Sequence, residues 1–101
     1  MAETKQKFTE QQIHIAKIAN ALSNPIRLAI LELLRNKTCC YHGDLSVELP
    51  IANSTLSQHL HVLKDAGLIH GEINPPKTKY CIHEENWQNA CQVFADFFKK
   101  A

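Results

Sequence analysis

The stretch STLSQHLHVLKDAGLI, residues 54–69, decides the fold of this chain. Three of its leucines recur at the spacing of one helical face: Leu56, Leu60 and Leu63. Asn53 or Ser54 can cap this helix, which we expect to run to Ala66, and Gly67 can supply the left-handed residue that ends it. The sequence therefore predicts an amphipathic helix that buries a leucine stripe.

The opposite face of this helix carries short or planar hydrogen-bonding groups, where a solvated face would be richer in Glu and Lys. They are Ser54, Ser57, Gln58 and His61, with Thr55 and His59 flanking them. Gln58 can pair with an adenine edge through both atoms of its amide, and Ser and Thr can contact bases or phosphates. This face predicts a helix that reads the major groove of DNA.

The chain before this helix alternates patterned segments with turn signals. A first helix is predicted over 9–22 with Thr9 as its cap. A second, which is apolar on nearly all sides, begins with Asn24 as cap and Pro25 at its first position and ends at Asn36. A short strand over 38–41 and a helix over 42–49 follow, the latter stopped by Pro50.

After Gly67 the pattern predicts two strands, 68–73 and 79–83, joined by a turn over 74–78, and then a helix over 85–100. The fold class is therefore mainly α with a small β-hairpin, an α+β winged helix in the order α-α-β-α-α-β-β-α. In such a fold the second helix of the helix-turn-helix enters the groove while the hairpin follows the backbone. Lys64, Lys77 and Lys79 are then placed to contact phosphates.

Composition sets the limits of this interpretation. With 101 residues, 45% of them hydrophobic, we expect one domain over residues 1–101. The net charge of +1 does not by itself indicate nucleic acid. No apolar run approaches the roughly 20 residues of a membrane span, and the N-terminal residues are polar, so we expect a cytoplasmic protein without a membrane segment.

Three stretches resemble the ArsR/SmtB-type winged-helix repressors: LSNPIRLAILELL (22–34), GDLSVELPIANSTLSQHLHVLKDAGLI (43–69) and KYCI (79–82). The resemblance covers nearly the whole chain. It implies a homodimer formed by the first and last helices, with two recognition helices one DNA turn apart. It also implies an inverted-repeat operator in double-stranded DNA and release of that operator when an inducer binds.

The four cysteines, Cys39, Cys40, Cys81 and Cys91, are expected to be free thiols in the cytosol. Adjacent Cys39 and Cys40 are poorly placed to bond to each other, but their thiolates can chelate one large soft ion. In a winged helix the 38–41 strand pairs with the second wing strand, so Cys81 is expected to face one of them. Cys39, Cys40 and Cys81 are therefore the predicted metal ligands.

Three thiolates suit arsenic(III) or antimony(III) as inducer, and His42 or His83 nearby would allow zinc, cadmium or lead instead. No cofactor is expected to be needed for folding. The arsenic-responsive family members carry two cysteines one residue apart directly before the "DL" that opens the third helix, whereas Asp44 here follows Gly43. The spaced Asp, His, His and Glu of zinc-sensing members are also missing from the last helix.

Other functions stay open at this stage. The same repressor can sense thiol oxidation, with Cys39 or Cys40 bonded to Cys81 or Cys91, or a persulfide, or it can have no metal response. The cysteines can also be buried and act as small hydrophobic residues. This interpretation fits Cys91 best, because Cys91 lies on an apolar helical stripe. A thiol enzyme is disfavoured because the chain has no Cys-x-x-Cys motif, and a protein-interaction module is disfavoured by the polar face of the fourth helix.

Overall fold

The computed structural model describes residues 7–37, 39–74 and 77–100, and within these ranges the chain forms five helices and three strands in the predicted order. The helices are α1 Glu10–Leu22, α2 Pro25–Lys37, α3 His42–Glu48, α4 Asn53–Asp65 and α5 Glu84–Lys100. The strands are β1 Cys39–Tyr41, β2 Ile69–Asn74 and β3 Lys77–Ile82. The predicted fold class is confirmed.

The first two helices begin where the sequence predicts. The Thr9 hydroxyl accepts a hydrogen bond from the Gln12 amide (3.0 Å), and the Gln12 side chain accepts one from the Thr9 amide (2.9 Å). This reciprocal capping box satisfies two amides that the first turn leaves without partners. Asn24 accepts from the amide of Ile26 (2.8 Å), and Pro25 is the first residue of α2.

The predicted cap of α4 is wrong. The capping residue is Ala52, whose backbone is extended and whose carbonyl accepts the first helical hydrogen bond from Leu56 (2.9 Å). Asn53 and Ser54 therefore lie inside the first turn, where their side chains face outward instead of capping. At the other end Gly67 adopts the predicted left-handed conformation, with φ of 82°.

The three strands form one antiparallel sheet in the order β1-β3-β2. The predicted pairing of the short strand with the second wing strand is confirmed, and Cys39 lies opposite Cys81. The hairpin is longer than predicted, because Asn74 and Lys77 still pair across it. Thr38, Pro75 and Pro76, predicted in a strand and a turn, lie outside the described residues, as do residues 1–6 and 101 of the predicted domain.

The core gathers aliphatic side chains from every layer of the fold. Its largest fully buried members are Ile30, Leu34, Leu45, Leu56, Leu60, Leu63 and Ile69. All three leucines of the predicted α4 stripe are among them, so the inward face of α4 is confirmed. Burial of the stripe turns the polar face of α4 toward solvent. No helix in the described part of the chain is long and apolar enough to cross a membrane.

Gly67→Ala should lower the free energy of unfolding by about 1–2 kcal/mol, because a side chain is strained at positive φ. The added Cβ would also lie 3.0 Å from the side-chain nitrogen of Asn86, which donates to the Gly67 carbonyl. Urea denaturation measures the change. Gly43→Ala is the matched control, since its Cβ would meet nothing within 4 Å and helical Ala is favourable. Equal stability of the two variants would contradict this assignment.

Candidate nucleic-acid interface

The outward face of α4 presents most of the predicted DNA-contacting residues to solvent. Ser54, Ser57, Gln58, His61 and Lys64 are exposed, while Thr55 and His59 are half-buried. The core leucines on the opposite side hold these groups on one face of a single rigid helix. Such a face can enter a major groove as a unit.

His59 is held from behind by Arg27 of α2. The Arg27 guanidinium donates to Nδ1 of His59 (3.0 Å) and to the carbonyls of Ala21 (2.7 Å) and Asn20 (3.2 Å) at the end of α1. One arginine therefore ties α1, α2 and α4 together and places its positive charge at the C-terminus of α1, where the helix dipole favours it. Burial, and then the charge of Arg27, lower the pKa of His59, which favours a neutral ring that accepts from Arg27.

Sequence reasoning missed the role of Arg27. The available signal is a basic residue in the first turn of a helix, directly before the mainly aliphatic run of residues 28–34, a position where an arginine needs partners. His59 therefore contributes to packing between helices as well as to the outward face of α4, and its Nδ1 is already hydrogen-bonded to Arg27.

Ser57 contacts the preceding helix. Nε2 of His42 and the hydroxyl of Ser57 lie 3.1 Å apart, within hydrogen-bond distance. His42 is the first residue of α3 and follows β1 directly, so this hydrogen bond connects the edge of the sheet to the outward face of α4. Further along α4, Nε2 of His61 lies 3.7 Å from a carboxylate oxygen of Asp65, and both side chains are exposed.

The two wing lysines lie on β3. The Lys79 ammonium is 3.5 Å from the carboxylate of Glu72 across the hairpin, and the Lys77 ammonium lies 5.3 Å from the ring centroid of Tyr41. Exposed ion pairs contribute only about 0–1 kcal/mol, so Lys79 can exchange Glu72 for a phosphate at little cost. Both lysines thus remain available for the predicted phosphate contacts.

The expectation of four free thiols is wrong for one pair, because Cys39 and Cys81 form a disulfide. They are register partners on β1 and β3 with Cα atoms 4.2 Å apart, close to the narrow type of antiparallel pair. Cys40 and Cys91 are free. Cys91, expected to be buried, is exposed, since the core-facing positions of α5 around it are Ala90 and Phe94.

Cys40 does not join the other two predicted metal ligands. Successive side chains of a strand point to opposite faces, so Cys40 enters the core while Cys39 lies beside Cys81. The adjacent thiolates therefore do not form the predicted two-sulfur chelate. Burial raises the pKa of the Cys40 thiol, partly opposed by the charge of Lys37, which further disfavours a thiolate there. Within 7–37, 39–74 and 77–100 no three His, Cys, Asp or Glu side chains are gathered to hold a metal ion.

Helices α1 and α5 pack together and leave a large apolar surface uncovered. His14 of α1 and Asn89 of α5 form a 3.3 Å hydrogen bond, and a cavity of about 190 Å³ lies between the two helices. Phe98 is 68% exposed and packs against the partly exposed ring of Phe97. Ile13 on α1 is 59% exposed. An exposed aromatic and aliphatic surface of this size is typical of a protein–protein interface.

Comparison with known proteins agrees with this architecture. A family model described as "Helix-turn-helix domain" matches residues 22–72. The transcriptional regulator CmtR of Mycobacterium tuberculosis is 29% identical over 75% of this chain and 64% of its own length. The repressor SmtB of the same species is 39% identical over 55% of this chain. These matches span 64% and 41% of the two relatives, less than two thirds of either.

A solved structure shows the same fold at lower identity. An ArsR-like transcriptional regulator from Rhodococcus superimposes with a TM-score of 0.78 at 18% identity, over 91% of this chain and 86% of the other. The two curated relatives are named as transcriptional regulators and not as enzymes, as the sequence predicts. The helix-turn-helix match contains all of α4 and its outward face.

The Arg27–His59 contact predicts how stability depends on pH. The pKa of His59 is lowered in the folded protein, so the unfolded chain takes up this proton first as the pH falls. The contribution of neutral His59 to stability is fully present above the ordinary pKa of 6.5 and is lost as the pH falls through the lowered pKa. As the pH is lowered from about 8 to about 5, we therefore expect the free energy of unfolding to fall less in His59→Gln, which keeps a hydrogen-bond acceptor, than in the wild type.

Urea denaturation at each pH measures this difference. The variant keeps the other five histidines, so whatever they contribute is common to both proteins and cancels in the comparison. Parallel pH profiles for the variant and the wild type would show that Arg27 does not hold a neutral His59.

Proposed function

Because this chain belongs to the ArsR/SmtB-type winged-helix transcriptional regulators, we propose that it is a homodimeric repressor that binds an inverted-repeat operator in double-stranded DNA. The observation that carries the proposal is the outward face of α4, where exposed Ser54, Ser57 and Gln58 lie opposite a fully buried leucine stripe. Small polar groups on a rigid helix suit hydrogen bonding to base edges. Lys64, Lys77 and Lys79 add phosphate contacts on either side.

The homodimer is supported by the uncovered surface of α1 and α5. Phe97 and Phe98 are large aromatic side chains that a monomer would leave in water, and Ile13 extends the same apolar character onto α1. Burying such aromatic surface is a strong driving force for association. A symmetric dimer carries two copies of α4 and therefore fits a DNA site with twofold symmetry.

The proposed sensor is the Cys39–Cys81 pair. The proposal places the protein in the cytoplasm, where thiols are normally kept reduced and a disulfide forms under oxidising conditions. Hydrogen peroxide would take two electrons and two protons from the two thiols, which gives the disulfide and two molecules of water. Arsenic(III) or antimony(III) is a weaker candidate for inducer, because strand alternation separates Cys40 from the other two sulfurs.

The route from this pair to DNA runs through three consecutive features. The disulfide bonds β1 to β3, β1 leads directly into α3 at His42, and His42 contacts the Ser57 hydroxyl. In the disulfide form Ser57 is thus engaged within the protein and has less capacity to bond to DNA. We therefore expect oxidation to weaken operator binding, which is the effect that an inducer has.

Gln58→Ala should reduce discrimination between operator and random DNA by about 1–3 kcal/mol, the scale of one good base contact. Fluorescence anisotropy at a fixed salt concentration measures both affinities. Lys64→Ala is the comparison variant, since loss of a phosphate contact should weaken binding to both DNAs alike. An equal loss on operator and random DNA for Gln58→Ala would argue that Gln58 reads no base.

Peroxide treatment should weaken operator binding by about 5- to 10-fold, the worth of one hydrogen bond. Cys39→Ser should abolish this response, while Cys40→Ser, which leaves the pair intact, should keep it. His42→Ala should retain the disulfide, seen by mass, yet lose most of the response. A full response in His42→Ala would mean that the signal reaches α4 by another route.

A further inference from the structure

We infer that reduction of the Cys39–Cys81 disulfide opens a site for a thiophilic divalent cation such as zinc, with Cys39, Cys81 and His70 as its ligands. The inference rests on the proposed function in one respect only, namely that the Cys39–Cys81 pair passes through a dithiol state. It replaces Cys40 of the sequence-based ligand set with a histidine from β2.

The register of the sheet brings the three ligands into one row. Cys39 on β1 lies opposite Cys81 on β3, and Cys81 lies opposite His70 on β2. Residues directly opposite in an antiparallel sheet point to the same face, with Cβ atoms about 4.5–5.5 Å apart. Cys40 therefore points to the opposite face of the sheet from this row.

The chemistry of the set suits zinc. Two thiolates and one imidazole are the ligands of open, four-coordinate zinc sites, in which the fourth position holds water. Zinc–sulfur bonds of about 2.3 Å place two bound sulfurs roughly 3.8 Å apart, a separation that neighbouring strands reach once the disulfide is broken. Magnesium and calcium prefer oxygen ligands, and arsenic(III) would need a third thiolate that Cys40 does not provide.

His70 is available for this role and His83 is not. Among the described residues neither ring nitrogen of His70 takes part in a hydrogen bond. Nδ1 of His83 accepts from the amide of Asn86 (3.2 Å), so the proton of the neutral ring lies on its other nitrogen, and neither nitrogen is free to bind a metal. His83 packs edge-on against His70 with ring centroids 5.8 Å apart, a contact that restrains the His70 ring.

The site exists only in the dithiol form. In the disulfide form the two sulfurs are bonded to each other and are not thiolates, so they cannot both bind a metal ion. Metal binding and disulfide formation therefore exclude each other. Zinc should protect Cys39 and Cys81 from peroxide, and peroxide should expel zinc.

The test is a cadmium titration of the reduced protein without DNA, followed by thiolate-to-metal charge-transfer absorbance, with zinc affinity from competition with a chromogenic chelator. We expect one ion per chain and at least about a tenfold loss of zinc affinity in His70→Gln. His14→Gln and Cys40→Ser are the controls, and both should bind like the wild type. Circular dichroism confirms that each variant is folded.

Three results would overturn the site. They are the absence of a charge-transfer band, full affinity in His70→Gln, and loss of affinity in Cys40→Ser, which would point to the adjacent cysteine pair. A second measurement needs no variant, since zinc should slow peroxide oxidation of the wild-type thiols, and an unchanged rate would also count against the site. Because no DNA is present, the failure of the repressor proposal would leave these readouts unaffected.

Discussion

The complete burial of Leu56, Leu60 and Leu63 is the constraint on which the rest of this structure depends. A helix that buries one stripe has no freedom to rotate, because rotation would expose leucine and bury hydroxyl and amide groups without partners. The outward position of Gln58 and its neighbours is therefore a consequence of core packing. Burying one leucine side chain contributes about 2 kcal/mol, so three of them hold the orientation firmly.

Two polar links then join α4 to the parts of the fold that can carry a signal. Arg27 connects His59 to the C-terminus of α1, a helix of the proposed dimer interface. His42 connects Ser57 to the strand that bears Cys39. In the proposed function, a change at either the dimer interface or the cysteine pair can thus reach the outward face of α4 through one residue. In the proposed function the Cys39–Cys81 pair supplies the chemical input, and the His42–Ser57 contact carries it to α4.

Sequence patterns predict the fold well because it depends on local signals. The helix start at Asn24 and Pro25 and the glycine end at Gly67 are short-range features, and the structure confirms them. The cap of α4 was missed because Ala52 caps through its backbone alone, which leaves no side-chain signal. The outward face of α4 was predictable from helical period, but the Arg27–His59 contact joins residues 32 apart and has no local pattern.

The cysteines show the same division between local and long-range information. Strand pairing was enough to predict that Cys81 faces β1. It did not decide between Cys39 and Cys40, because a shift of one residue in register exchanges their faces. The ligand candidate His70 depends on pairing of β2 with β3 in a register that only the structure provides.

Whether the outward face of α4 reads DNA sequence is tested most directly by selecting bound sequences from a random double-stranded DNA library with the reduced protein. We expect enrichment of an inverted repeat whose half-sites lie about one helical turn, roughly 10 base pairs, apart, because a symmetric dimer presents two α4 helices. Recovery of unenriched sequence would contradict a sequence-reading α4 face, and enrichment of a single unrepeated half-site would contradict the dimer.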